Sequence, residues 1–346
     1  MTATLRAGRV SVRVEPASVL LGAGVWTAAL VVGLAAVAVG DYPLPLPAVL
    51  DTLTGHGTLL SYDVVVRNRL PRAVVALLVG ASLGLAGTVL QRIARNPLVS
   101  PDVIGIASGA SAGAVVMIVV VGAGATAVVA GALAGSAVTA ATVHAIAARG
   151  GFAGHRLVLV GIGVTALANA AASFLLTRSD RYAAKQAATW LVGDLAGRSW
   201  PDVLTVATGL ALGAPVVLLL TRHLRLLELG DETARTLDGR IGQARAALVA
   251  TAVGLTALAT AAAGPVAFVA LVAPQIVRRV LGVRPSGLLP AAGVGALVVA
   301  AADLVARRLF SPDELPAGVL TAAVGAPVLL WLLVRANRAG VSPRSG

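Results

Sequence analysis

Between Ala73 and Gln91 the chain carries no charged residue, and nineteen residues at 1.5 Å each make a helix ~28 Å long, close to the ~30 Å of hydrocarbon in a bilayer. Arg69 and Arg72 flank Pro71 before this run. Arg92 and Arg95 follow it, and the proline of Asn96-Pro97 cannot continue the helix. Gly80, Gly84 and Gly87 are spaced by four and three, so they share a face on which a neighbouring helix can approach closely. A membrane-crossing helix with so small a face belongs inside a bundle.

The pattern recurs along the chain. Spans are expected near 19–40, 73–91, 104–122, 126–147, 157–177, 203–221, 246–264, 266–282, 287–306 and 316–334. Hydrophobic residues make up 58% of the 346 and charged ones 12%, with mean hydropathy +0.90, against roughly 25% charged in soluble domains. These values predict an all-α polytopic membrane protein with about ten transmembrane helices in one integral domain, 1–346. The N-tail (1–18), the 223–243 loop and the C-tail (336–346) lie on one side. With the N-terminus inside, the inward segments hold eighteen of the 27 Lys plus Arg, the bias expected of a chain with both ends in the cytoplasm. The net charge of +12 therefore reflects topology and anionic headgroups rather than nucleic acid. The run after Arg6, Arg9 and Arg13 is of full membrane length, so no cleaved leader is expected.

Several segments carry more than hydrophobicity. Asp41 to Asn68 contains Pro43, Pro45 and Pro47 and reads as an ordered surface loop with a short helix. In the fifth span Gly161, Thr165, Asn169 and Ser173 recur every four residues, a stripe of small and uncharged polar groups. It either bonds a neighbouring helix or lines a path for a bulky polar solute. Arg178 to Trp200 has mixed charge with Trp190 and Trp200, suited to the interface. His223 to Gln243 is long enough for helices of its own. There Asp231 and Glu232 can cap a short helix, and Leu226, Leu227, Leu229, Ala234 and Leu237 supply an apolar side. That side is covered by a partner protein or by the bundle itself. Asp303 and Arg307 can pair at i, i+4 near the end of the ninth span. Arg69 and Arg72 are either fixed charges at a water boundary or snorkelling anchors.

Other chemistry is excluded by composition. There is no cysteine, hence no disulfide or thiolate chemistry. The one lysine, Lys185, is not in a phosphate-binding loop, and the four histidines form no HExxH. No cofactor is expected in this chain. The deepest acid in this reading is Asp303, so coupling energy should come from outside the chain.

Seven ordered segments carry a resemblance: RLPR at 69–72, GASLGLAGTVLQ at 80–91, RNPLVSPDVIGI at 95–106, LGDETARTL at 229–237, AGPVAFVALVAPQIVR at 263–278, ADLVARRL at 302–309 and ELPAGVLTAAVGAP at 314–327. They resemble the FecCD-like permease subunits of iron-siderophore, haem and cobalamin ABC importers, with a type II architecture. The resemblance implies a bacterial inner-membrane subunit paired with a second permease chain, identical or paralogous. It implies two ATPase subunits that carry ATP and Mg, and an extracytoplasmic substrate-binding protein. It further implies that Arg69, Arg72 and Arg307 meet acidic residues of the binding protein. The loop Leu229, Gly230, Asp231, Glu232, Ala234, Arg235 and Leu237 would dock on the ATPase. Gly154-His155 would lie at the cytoplasmic gate, and the stripe from Gly161 to Ser173 would line the path. Gln275 stands where most members have histidine, Asp194 where serine is usual, and Asp238 interrupts the usual Leu-Gly. RNPLVSPDVIGI favours a ferric siderophore over haem or cobalamin. An ion-coupled carrier and a membrane scaffold are the competing classes.

Overall fold

The computed structural model describes residues 3–7, 10–14, 16–40, 42–148, 154–282, 287–309 and 313–340. Two short strands open the chain, β1 (Ala3–Ala7) and β2 (Val10–Val14), paired antiparallel with Ala3 opposite Val14. Among the described residues, everything after them is helix and connection. The N-tail is thus a hairpin rather than a plain tail, because Val10, Val12 and Val14 alternate with Ser11 and Arg13 at the two-residue period of a strand. The first helix begins at Pro16, a residue type favoured at a helix start.

In order, the helices are α1 (Pro16–Ala38), α2 (Leu46–Leu53), α3 (Leu59–Tyr62), α4 (Leu70–Ala94), α5 (Pro101–Ile104), α6 (Ile106–Val115), α7 (Ala125–Ala148), α8 (Gly154–Arg178), α9 (Arg181–Leu191), α10 (Trp200–Leu219), α11 (Thr221–Glu228), α12 (Asp231–Leu237), α13 (Ile241–Ala263), α14 (Val269–Leu281), α15 (Leu288–Leu309) and α16 (Ala317–Gly340). Each of the ten expected spans coincides with one helical run. Among the described residues seven runs are long and apolar enough to cross a bilayer. The other three are shorter: α6 with its π-helical continuation to Val121, α14, and the apolar part of α16 from Ala317 to Trp331.

α4 is the axis of the bundle. Nearly every side chain from Pro71 to Gln91 is buried, and α15, α13, α14 and α10 surround it. Lipid tails are as apolar as leucine, so membrane helices associate through close packing of small residues. Here Gly80 and Gly84 lie against the Gly295 and Ala291 carbonyls of α15, and Gly87 against the Ala270 carbonyl of α14. A Cβ at any of the three would strike backbone. One glycine face therefore serves two neighbours rather than one.

Two boundaries differ from expectation. The helix leading into α4 starts at Leu59, well before Arg69, and passes through a π segment, Asp63–Arg69, in which the Leu70 N–H donates to the Val65 carbonyl five residues back. That wider turn accommodates Pro71 without ending the helix. The eighth span, expected over 266–282, is the thirteen-residue α14, only ~20 Å long. Residues 264–268 are non-helical, with Gly264 at φ +72° and Phe268 at +65°. Hydropathy stayed high through this break and hid it.

Candidate functional site

Three constellations sit at different depths of the bundle. The first is at the end where the long helix through α4 enters. Arg69, Arg72 and Arg307 are 7%, 8% and 6% exposed, and Asp303 is 1% exposed. A buried guanidinium survives only with acceptors around it, and each has them. Arg69 donates to the carbonyls of Val37 and Ala38 at 3.3 Å and to that of Tyr42. Glycine at position 40 leaves room for its guanidinium. Arg72 Nε donates to Asp303 at 3.0 Å and its Nη1 to Glu314 at 2.7 Å. Arg307 Nη2 lies 2.9 Å from the other Asp303 oxygen, and Nη1 donates to the Ala36 carbonyl. Asp303 is thus clamped between two arginines from two helices. Together with Arg308, Glu314 and Asn68 the three arginines line a pit of about 340 Å³. Its lining holds four guanidiniums and one carboxylate, Glu314, with Asp303 buried against Arg72 and Arg307. The pair Asp303–Arg307 follows from sequence spacing. The bond from Arg72 to Asp303, 231 positions away, does not. The structure also replaces the picture of two charges standing at a water boundary with one of buried, internally bonded groups.

The second lies where helices break. Ser100 caps the single turn α5, its hydroxyl accepting from the Val103 N–H, and Gly105 at φ +90° ends it before α6 starts. Gly161 of α8 packs on the Ile104 backbone, and Thr165 lies against Gly105. The lower half of the polar stripe is therefore a helix contact. Asn169 and Ser173 instead line a cavity of about 340 Å³ with Asp102, Ser108, Ser111 and Pro265. Asp102 of α5 lines this cavity together with Pro265 and Ala267, which brings α5 beside the non-helical 264–268 segment. Irregular backbone at membrane depth is tolerated where it is buried in protein or lines a cavity, and both conditions meet here. From sequence alone Asp102 reads as a loop acid, because it falls between two expected spans. Its only signal was the Ser-Pro-Asp start of α5. Gln275 donates to Gln91 Oε1 and to the Pro97 carbonyl, both at 2.9 Å, and Gln91 donates to the Leu271 carbonyl. The glutamine thus completes a buried bridge between α14, α4 and the loop after α4.

The third is at the opposite end, around α11 and α12. Leu227 and Ala234 are fully buried, while Leu229 and Leu237 are 60% and 58% exposed. The apolar side foreseen for this loop is therefore split between the bundle and solvent. Gly230, at φ +108°, occupies the cap position, and Asp231 and Glu232 fill the first turn of α12. Asp231 takes a two-pronged bond from Arg245 of α13 at 2.6 and 2.9 Å, which holds its carboxyl below the usual range. Arg95 is a further 3.9 Å away. Asp238 sits 3.3 Å from His223 and accepts the Arg240 N–H. Asp194, the other departure, accepts the Ala196 N–H at 3.0 Å in the loop before α10. Gly154 and His155 begin α8, and the His155 side chain lies outside the described residues. Among the described residues no group of three or more side chains is placed to hold a metal ion.

Residues 28–335 match the FecCD transport family. The chain is 40% identical over 312 residues to the ferric enterobactin transport system permease protein FepG of Escherichia coli, covering 90% of this chain and 94% of that protein. It is 38% identical over 275 residues to the achromobactin transport system permease protein CbrC of Dickeya dadantii, covering 79% of each. It is 37% identical over 267 residues to the cobalamin import system permease protein BtuC of Halobacterium salinarum, covering 77% and 72%. Its fold is similar, at TM-score 0.80 and 28% identity, to a solved structure described as an inward-facing conformation of a metal-chelate type ABC transporter, over 91% of this chain and 99% of that one. Seven runs long and apolar enough to cross a bilayer among the described residues, the glycine-faced axis, the clamped arginines and the match over almost the full length agree: this multi-pass membrane chain belongs to the FecCD transport family of ABC permeases.

Proposed function

We propose that this chain passes an iron-siderophore complex into the cytoplasm of a bacterium as the inner-membrane subunit of an ABC importer, with both termini inside. A second permease chain, identical or paralogous, completes the path. Two ATPase subunits carry ATP and Mg, and an extracytoplasmic binding protein delivers the cargo. The observation that carries this reading is the α11–α12 loop: it is bonded rigidly to α13 through Asp231 and Arg245 yet exposes Leu229 and Leu237 to solvent. Such a lever fits a stroke delivered from a partner. The membrane-crossing stretch of α8 is only 11% buried, which leaves a face for a second chain, and the cavity of Asn169, Ser173, Ser108 and Ser111 supports a polar cargo. The arginine pit carries excess positive charge and suits acidic groups of a binding protein. Gly154-His155 remains the proposed gate.

The relatives named for enterobactin and achromobactin favour a siderophore, and the one named for cobalamin makes a corrinoid the second candidate. Fluorescence quenching of the cognate binding protein with a panel of ferric siderophores, haem and cobalamin tests the cargo. Tight binding of cobalamin or haem alone contradicts the siderophore assignment.

A further inference from the structure

Between α7 and α13, beside α12, runs a groove of about 580 Å³ whose walls are Leu133, Ala137, Val249 and Val253. Arg235 and Arg245 stand at its mouth, where α13 begins. Arg245 spends its two terminal nitrogens on Asp231, and its buried Nε has no hydrogen-bond partner among the described residues. Arg235 is exposed, and no hydrogen bond or ion pair holds it among the described residues. Arg95 lines a second cavity that shares Arg245, Val249 and Val253 with the groove. Three guanidiniums thus surround one carboxylate, leaving positive charge in excess. An apolar slot wants hydrocarbon, and an orphaned cationic donor at the membrane edge wants an anionic acceptor. Basic mouths between membrane helices are suited to acidic headgroups.

We propose that this groove binds one anionic phospholipid, an acyl chain lying between α7 and α13 and the phosphate at Arg245 and Arg235. Its phosphate bonds the same arginine that holds Asp231, so the lipid braces the joint between α12 and the bundle. On the topology proposed above, this is an inner-leaflet lipid.

The assembled transporter, exchanged into phosphatidylcholine nanodiscs doped with phosphatidylglycerol, is released into native mass spectrometry. Retained lipid and bound ATPase are counted in one spectrum. Phosphatidylglycerol should be retained in preference to phosphatidylcholine. Arg235→Gln should lower that retention about five-fold, the worth of one basic residue near a membrane surface. Ala137→Trp should lower it by filling the groove, with Ala137→Leu as the milder variant if tryptophan prevents assembly. Arg181→Gln, on α9, should leave it unchanged. Equal retention of the two lipids, or retention indifferent to both Arg235→Gln and the groove-filling variants, overturns the proposal. So does a wild-type complex without lipid in which Arg235 crosslinks to the ATPase. Loss of the ATPase with phosphatidylglycerol still bound faults the importer reading instead.

Discussion

Replacing Asp303 with asparagine separates what the arginine cluster does for the fold from what it does for a partner. The Asp303 side chain is 1% exposed and lies within 3.0 Å of both Arg72 and Arg307. Asparagine keeps the shape but removes the charge, leaving two buried guanidiniums on their remaining partners, Glu314 for Arg72 and the Ala36 carbonyl for Arg307. Removing one partner of a buried ion pair costs about 3–5 kcal/mol, which is more than about a hundredfold in the folding equilibrium. Reversible unfolding in mixed micelles, followed by tryptophan fluorescence, reads that loss. A cycle with Arg72→Met should return a coupling of about 1–3 kcal/mol. The same substitution makes the pit more positive, so affinity for the binding protein, measured on folded protein in nanodiscs, should hold or rise. A stability loss below about 1 kcal/mol would refute the clamp. A folded variant with weaker docking would refute the pit as an acceptor of acidic groups. Charge reversal at Arg72 tests neither cleanly, since it sets a second carboxylate against Asp303.

Three further outcomes concern the α11–α12 loop and the glycine face of α4. Leu229→Asp with Leu237→Asp should abolish copurification of the ATPase while leaving thermal stability within about 1 kcal/mol, because both side chains are exposed; retention of the ATPase would remove the loop's assigned role. Gly87→Val drives side-chain atoms into the Ala270 carbonyl and should cost about 1–3 kcal/mol or more by overpacking, read by the same unfolding assay; a neutral effect would mean α4 and α14 are not in close contact. Asp231, held below the ordinary carboxylate range by Arg245, contributes its full stabilisation above about pH 4 and loses it only as pH falls through its lower folded value. Hydrogen exchange of α12 should therefore be unchanged from neutral pH down to that point, and Arg245→Gln should move the loss upward. Loss of protection near neutrality in the wild type would contradict the pairing.

Hydropathy made the spans legible because a bilayer imposes length and apolarity on each helix separately, and the glycine face of α4 was legible because spacing along one helix decides it. What escaped depends on more than one segment. The shortness of α14 is written in Gly264-Pro265, yet Val266 to Val277 stays as apolar as a full span. The stripe on α8 divides because α5 covers Gly161 and Thr165 and stops before Asn169. Asp102 reads as a loop acid until the break at 264–268 is brought to it. Arg72 finds Asp303 only once α4 and α15 lie side by side, whereas Arg307 finds it by spacing alone. The apolar residues of the α11–α12 loop are legible as a group, but that the bundle covers Leu227 of α11 and Ala234 of α12 while leaving Leu229 and Leu237 exposed depends on how both short helices pack.

In the proposed role the chain is a conduit driven from outside. Reconstitute it in proteoliposomes alone, then with its ATPase, and then with the binding protein and ATP, and follow labelled ferric siderophore. Accumulation against a gradient should occur only in the complete system and stop with a non-hydrolysable nucleotide; uphill accumulation by the chain alone, driven by a proton or sodium gradient, would contradict the account.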